Sequence, residues 1–195
     1  ILPKYDHKIL IEEANLFCKW YAKKKLSKKN FTKFSREFYK IIKKLTLRLK
    51  LKNKIFVHRD FHVSNLMLVN KRLGVIDSQD AVIGNIAYDL ASLIDDVRFK
   101  TSKLFKNKIY DIYIRKKKKL NIEKFKNDFE ILSILRNLKI IGIFTRLALR
   151  DKKKKYLKLI PYSWELIDMR INDNEVFNEL RYLLNKNFKK KFNEN

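Results

Sequence analysis

Apolar residues recur every three or four positions over most of the chain, the spacing that places side chains on one face of an α-helix. The pattern is clearest at 6–25, which contains Trp20, and at 31–51, which runs from Phe31 to Leu49. The same periodicity continues to the C-terminal third. It predicts helices over 6–25, 31–51, Ala87–Val97, 102–116, 122–150 and 161–186.

A different pattern interrupts the helical periodicity between residues 55 and 77. The apolar run Ile55–Val57 precedes a polar stretch, and two further runs, Leu66–Val69 and Leu73–Ile76, flank Asn70-Lys71-Arg72. Short apolar runs on both sides of a polar turn are typical of a β-hairpin. The predicted fold class is therefore mainly α with a small β-hairpin, and we expect residues 1–195 to form one domain.

Composition narrows the class of protein. With 46% hydrophobic residues, the 195-residue chain can bury a sizeable core. Its three glycines and two prolines leave few positions for the tight turns of an all-β protein. The single cysteine, Cys18, excludes an internal disulfide. Because no apolar run reaches the roughly 20 residues of a membrane span and no signal segment opens the chain, we expect a cytoplasmic protein.

The charge of the chain points in two directions. Lys and Arg number 47 against 21 Asp and Glu, for a net charge of +26, which indicates a nucleic-acid or anionic-surface partner. However, 36 of these 47 residues are lysines scattered along the chain, as an AT-rich genome alone would produce. Aromatic residues between the lysines would serve a binding module, but they fall at helical spacing and fit a core better. Nucleic-acid binding is therefore not the favoured function.

The residues that point to chemistry lie around the predicted hairpin. The segment from His58 to Asn65 reads H-x-D-x-x-x-x-N, and Asp77 follows the second hairpin strand. In phosphoryl transfer, a protein mainly positions groups and neutralises charge. Asp60 would accept or orient the proton of an attacking hydroxyl, while Asn65 and Asp77 would hold Mg²⁺ against the phosphates of a nucleotide. Each residue alone would be a turn former or a cap, but the three together in this context favour catalysis.

These segments resemble the aminoglycoside phosphotransferase and choline kinase group. Within that group, the chain is most similar to the bacterial N-acetylmuramate/N-acetylglucosamine kinases of cell-wall recycling. The similarity is carried by Leu2–Asp6, Leu16–Tyr21, His58–Asn65, Gly74–Gly84, Ile86–Leu93 and Arg136–Leu147. The resemblance implies ATP- and Mg-dependent phosphorylation of a hydroxyl on an amino sugar. It implies that Asp60 is the base and that His58 and Asp89 support the catalytic loop.

The resemblance also implies where the substrate binds. Gln79, Asp80 and Arg146 are the candidates, because helices beyond the metal loop form the acceptor pocket in this superfamily. A solvated helix face is the alternative interpretation of Arg146. Its guanidinium would suit the lactyl carboxylate of N-acetylmuramate.

The chain departs from the family pattern in two respects. Ser78 follows Asp77, where related kinases usually have an aromatic residue, and this leaves a catalytically inactive kinase-like module as an alternative. No G-x-G-x-x-G or strand lysine precedes the motif. Since the chain also starts at Ile1 rather than Met, we expect a fragment. It would be the C-terminal lobe of a protein-kinase-like fold, without the N-terminal nucleotide lobe and incomplete for catalysis by itself.

Overall fold

A computed structural model describes residues 2–172 and 174–188. The chain is mostly helical, as predicted, and its strands form small antiparallel pairs. The helices are α1 (His7–Ala14), α2 (Lys23–Lys25), α3 (Lys28–Leu47), α4 (Tyr88–Ile94), α5 (Lys103–Lys116), α6 (Ile122–Leu149), α7 (Ile160–Ile171) and α8 (Asn178–Phe188). The strands are β1 (Ile55–Val57), β2 (Leu66–Val69), β3 (Arg72–Val75) and β4 (Val82–Gly84). Within the described ranges, no helix is both long and apolar enough to cross a membrane.

The chain divides into two compact units. The first contains the chain up to Asp6 together with Leu49–Ser133. The second contains His7–Arg48 and the chain from Ile134 onward. All four strands, and the motif that follows β1, belong to the first unit.

Two antiparallel strand pairs organise the first unit. β2 and β3 form the predicted hairpin, with Leu66 opposite Val75. Its two-residue turn, Asn70-Lys71, has φ angles of 48° and 61°, as a tight hairpin turn requires. β1 pairs with β4, which the sequence did not predict. The two pairs fix the chain on both sides of the motif.

A buried carboxylate secures the chain where it enters β1. Asp128, on α6, accepts hydrogen bonds from the backbone N–H groups of Lys50 and Leu51, both at 2.8 Å. Its Oδ2 also accepts from Nδ2 of Asn85 at 2.7 Å. Asp128 and Asn85 are both buried. Because buried polar groups are costly unless paired, this network stabilises one specific path of the chain.

An aromatic cluster forms much of the core of the second unit. Phe17 stacks on Phe38 with ring centroids 5.5 Å apart, and Trp164 meets Phe17 edge to face at 5.5 Å. The other members, at comparable separations, are Tyr21, Phe34 and Phe188. These aromatic side chains account for the strong helical periodicity seen in the sequence.

The structure divides two of the predicted helices. Residues 6–25 contain α1, a π-helical segment at Phe17–Ala22 and the short α2. The π-helical segment begins where the backbone approaches Gly142 on α6. Residues 161–186 divide into α7 and α8, and between them the side chain of Asn174 caps a new turn through the N–H of Val176. In both places a local feature stops a helix whose apolar pattern continues.

Candidate active site

The loop that joins β1 to β2 carries the H-x-D-x-x-x-x-N motif. It contains a turn in which the N–H of His62 donates to the carbonyl of Asp60 at 3.0 Å. The N–H of Asn65 then donates to the carbonyl of His62 at 2.9 Å, at the end of the short 3₁₀ turn Val63–Asn65. These bonds fold the loop back on itself between Asp60 and Asn65.

The start of the loop is held by Asp89, in the first turn of α4. Its Oδ2 accepts from the N–H of His58 at 2.7 Å and its Oδ1 from the N–H of Arg59 at 3.1 Å. Arg59 has a φ of 70°, in the left-handed region that costs a residue other than glycine about 1 kcal/mol or more. The two hydrogen bonds to a carboxylate help to offset this strain.

The side chains of His58 and Arg59 tie the loop to the segment that follows β3. Nε2 of His58 lies 3.0 Å from the carbonyl oxygen of Ile76. A carbonyl can only accept, so Nε2 carries the proton. Nη1 of Arg59 donates to the carbonyl of Asp80 at 3.2 Å, and its guanidinium lies over the ring of Tyr5. His58 is only 4% exposed, so its ring is part of the packed interior.

Asp60, Asn65 and Asp77 come together at the base of the hairpin. Nδ2 of Asn65 donates to the backbone carbonyl of Asp60 at 3.0 Å and lies 3.4 Å from Oδ2 of Asp77. The N–H of Ile76 donates to the carbonyl of Asn65 at 3.1 Å, which extends the hairpin register by one step. The β2–β3 pairing therefore places Asp77 beside Asn65, which precedes it by twelve residues in the sequence.

Of the three residues predicted to bind the substrate, Gln79 and Asp80 belong to the first unit and Arg146 to the second. Nε2 of Gln79 donates to Oδ1 of Asp77 at 2.5 Å, so side-chain amides contact both carboxylate oxygens of Asp77. Asp80 is exposed and uses its carbonyl to accept from Arg59. Arg146 lies on α6 in the second unit, where its Nε is buried without a hydrogen-bond partner among the described residues.

The donor atoms at this position suit a hard cation. Asp77 contributes a carboxylate and Asn65 an amide oxygen, the ligand types that Mg²⁺ takes from proteins. Over residues 2–172 and 174–188, no group of three or more His, Cys, Asp and Glu side chains is arranged to enclose a metal ion. A cation held here by few protein ligands would keep positions open for water and phosphate oxygens. The residues therefore fit magnesium bound jointly with a phosphate-bearing ligand.

Two further residues near the loop were not predicted from the sequence. Asp96 accepts a hydrogen bond from the N–H of Val63 at 3.2 Å. Its spacing of seven from Asp89, which repeats a helical face, is the sequence signal that could have identified it. Tyr113, on α5, lies close enough to Asp89 that burial, and then the negative charge of Asp89, raises the pKa of its phenol. Tyr113 therefore stays neutral near this carboxylate.

Comparison with curated proteins identifies several relatives. The chain is 37% identical over 170 residues to an N-acetylmuramate/N-acetylglucosamine kinase of Neisseria meningitidis serogroup B. The aligned residues make up 83% of this chain and 50% of that protein. A kinase of the same name from Pseudomonas aeruginosa is 30% identical over 190 residues, 94% of this chain and 56% of that protein. One from Caulobacter vibrioides is 34% identical over 124 residues, 61% of this chain and 34% of that protein. The chain thus spans about half the length of the first two relatives.

A family model described as the phosphotransferase enzyme family matches residues 3–115. That range includes the loop from His58 to Asn65, the hairpin, Asp77 and Asp89. It also covers more than half of the chain. The resemblance to the aminoglycoside phosphotransferase group, and within it to N-acetylmuramate/N-acetylglucosamine kinases, is confirmed. The chain belongs to the phosphotransferase enzyme family.

Proposed function

We propose that this chain is the C-terminal lobe of an ATP- and Mg-dependent kinase that phosphorylates a hydroxyl of an amino sugar. The substrate class that we propose is N-acetylmuramate or N-acetylglucosamine, from the recycling of cell-wall material. The relatives support this choice of sugar, because they are named as kinases of these two substrates. The Gly-rich loop and strand lysine of the nucleotide lobe would then lie outside residues 1–195.

The observation that carries the proposal is the meeting of Asp60, Asn65 and Asp77. A proton acceptor and two oxygen donors for a cation are the groups that phosphoryl transfer requires of a protein. Asn65 joins the other two residues through one amide, since its Nδ2 bonds the carbonyl of Asp60 and lies 3.4 Å from Asp77. This arrangement supports a catalytic function for the loop over a purely structural one.

In the proposed reaction, Asp60 orients the sugar hydroxyl and accepts its proton. The hydroxyl oxygen forms a bond to the γ-phosphorus as the bond between that phosphorus and the β,γ-bridging oxygen breaks, which releases ADP. The proton remains on Asp60 until solvent removes it. The positions of His58 and Arg59, whose N–H groups bond Asp89, keep the backbone before Asp60 fixed during this step.

Asn65 and Asp77 are the residues that would hold magnesium. Nδ2 of Asn65 is directed to the carbonyl of Asp60, which leaves Oδ1 as the donor for a cation. Bound Mg²⁺ would neutralise charge that develops on the transferred phosphoryl group. Gln79 holds the carboxylate of Asp77 through Oδ1, whereas Asn65 lies next to Oδ2.

The experiment that tests this proposal measures ADP release by the complete gene product that carries this chain, with each amino sugar as the acceptor. We expect Asp60→Asn to lower kcat about 10²- to 10⁴-fold, the usual contribution of a general base. The control is Asp111→Asn, which changes an exposed acid on α5 of the same unit and should leave kcat unchanged. An Asp60→Asn enzyme with kcat within about threefold of the wild type would overturn the proposed role.

The metal role has a separate test. Asp77→Asn replaces the only carboxylate among the proposed metal ligands, so we expect the Mg²⁺ concentration that gives half-maximal rate to rise about tenfold or more. Asp111→Asn again serves as the matched control. An unchanged Mg²⁺ dependence in Asp77→Asn would contradict the assignment of Asp77.

Discrimination between the two sugars tests Arg146. If its guanidinium binds the lactyl carboxylate, Arg146→Ala should lower kcat/KM for N-acetylmuramate about tenfold or more and leave N-acetylglucosamine largely unaffected. Arg150→Ala, which removes an exposed arginine four residues later, is the control. Equal losses toward both sugars would count against a role in selecting the acid.

A further inference from the structure

Asp96 is a buried carboxylate that bonds the second half of the catalytic loop. It lies just beyond the end of α4 and is 1% exposed. Its Oδ2 accepts from the N–H of Val63 at 3.2 Å, and its Oδ1 accepts from the N–H of Arg98 at 3.0 Å. Nη1 of Arg98 lies 3.5 Å from the same Oδ1. Since a buried charge is costly without partners, these contacts set where the carboxylate can lie.

The two acids at the ends of α4 hold the catalytic loop at two separate points. Asp89 bonds the N–H groups of His58 and Arg59, immediately before Asp60. Asp96 bonds the N–H of Val63, the first residue of the 3₁₀ turn that ends at Asn65. The helix between the two acids sets the distance between these attachment points.

We propose that Asp96 is a positioning residue for phosphoryl transfer, which acts through Val63 to set the placement of Asn65 relative to Asp60. This inference rests on the proposed function. Asp96 acts on the loop through the N–H of Val63, which its carboxylate bonds. Its effect is geometric, and a displacement of about 1 Å in a catalytic group can cost about 10²-fold in rate.

The neighbouring acid, Asp95, provides a matched control. It is buried as Asp96 is, but it accepts from Oγ of Ser133 at 2.6 Å and forms an ion pair with Lys106 at 3.4 Å. These contacts join α4 to α5 and α6 rather than to the catalytic loop. Loss of the Asp95 charge should therefore lower stability without moving the loop.

The experiment compares Asp96→Ala, Asp96→Asn and Asp95→Asn in the complete gene product. The measurements are kcat and KM per folded molecule, thermal unfolding, and amide hydrogen exchange of residues 61–65. For Asp96→Ala we expect kcat to fall about 30- to 100-fold, with KM for ATP and sugar within about threefold, and exchange in the loop to rise about tenfold. Asp96→Asn keeps one acceptor, so its losses should be smaller. Asp95→Asn should unfold at lower temperature with kcat and loop exchange within about twofold of wild type.

A value of kcat within about twofold of wild type in Asp96→Ala would overturn the proposal, as would an equal loss of kcat in Asp95→Asn. If Asp96→Ala does not fold, Asp96→Asn decides by the same criteria. If the wild-type protein transfers no phosphate, the proposed function fails separately. Amide hydrogen exchange of residues 61–65 then tests whether Asp96 holds the loop. Faster exchange of these residues alone in Asp96→Asn supports that role, and unchanged exchange refutes it.

Discussion

Of the three glycines in the chain, Gly142 has the least room for a side chain, because neighbouring backbone lies closest to it. A Cβ placed on Gly142 would lie 2.3 Å from the carbonyl carbon of Leu16, 2.4 Å from its oxygen and 2.6 Å from the N atom of Phe17. All three are backbone atoms, so no side-chain rotation can relieve the overlap. Gly142→Ala therefore tests whether α6 and the segment that begins the π-helical turn require this approach.

The expected magnitude follows from two opposed effects. The shortest contact is about 1.1 Å below the 3.4 Å at which ordinary van der Waals contact begins, and overpacking of this kind costs about 3 kcal/mol. In the opposite direction, alanine favours a helix interior over glycine by about 1 kcal/mol. The net loss in the free energy of unfolding should be about 2 kcal/mol. For a chain of this size, that corresponds to a fall in Tm of about 4 to 8 °C.

The other two glycines supply graded controls. A Cβ at Gly74 would lie 3.7 Å from the nearest neighbour, the carbonyl oxygen of Met67, whereas at Gly84 it would lie 3.0 Å from Cγ2 of Val57. Gly74→Ala should be neutral or stabilising by up to about 1 kcal/mol, and Gly84→Ala should fall between the two. Urea and thermal unfolding followed by circular dichroism measure all three. A Gly142→Ala protein as stable as wild type, or less affected than Gly84→Ala, would refute the reasoning.

Three further predictions concern buried polar groups. Asp128→Ala leaves two backbone donors and the amide of Asn85 without their acceptor, so urea unfolding should show a loss of about 3 to 5 kcal/mol. Lys106→Met leaves the buried charge of Asp95 without its ion pair and should cost about 3 to 5 kcal/mol, whereas Lys106→Met should cost far less in an Asp95→Asn background. Burial raises the pKa of the Cys18 thiol to about 12, so a disulfide reagent at pH 8 should modify it only on unfolding. Since the folded pKa exceeds the ordinary 9.0, the contribution of this thiol to stability is complete below pH 9 and falls as pH rises toward 12.

The hairpin and the helices could be predicted because their signals are local. Leu66–Val69 matches β2 as predicted, and the turn residues Asn70 and Lys71 adopt positive φ between strands of the expected lengths. β4 was missed because it spans three residues and acquires its pairing from distant segments. Its Ile83 bonds the backbone of Pro3 and Tyr5, and the same strand pairs with β1. Such pairing is a tertiary effect that three residues cannot signal.

The proximity of Asn65 and Asp77 could be predicted from the sequence, because the register of the β2–β3 hairpin determines it. A turn of two residues between strands of four brings Asn65 opposite Ile76, and so Asp77 lies beside the loop. The spacing of seven from Asp89 places Asp96 on the same helical face, but the sequence near Asp95-Asp96 does not show that Asp96 is buried against the loop while Asp95 pairs with Lys106. The role of each acid depends on the neighbours that the fold brings to it.

The replacement of the usual aromatic residue by Ser78 raises the question of what keeps Asp77 in place. Asp77 has a φ of 70°, so its backbone is in a strained conformation that requires support. That support is polar: Nε2 of Gln79 donates to one carboxylate oxygen, and Nδ2 of Asn65 lies 3.4 Å from the other. The backbone on either side is also bonded, through the N–H of Ile76 to the carbonyl of Asn65 and the N–H of Ala81 to the carbonyl of Ser78. These contacts act on the carboxylate itself and on the residues immediately before and after Asp77, so they support its position without an aromatic side chain at position 78.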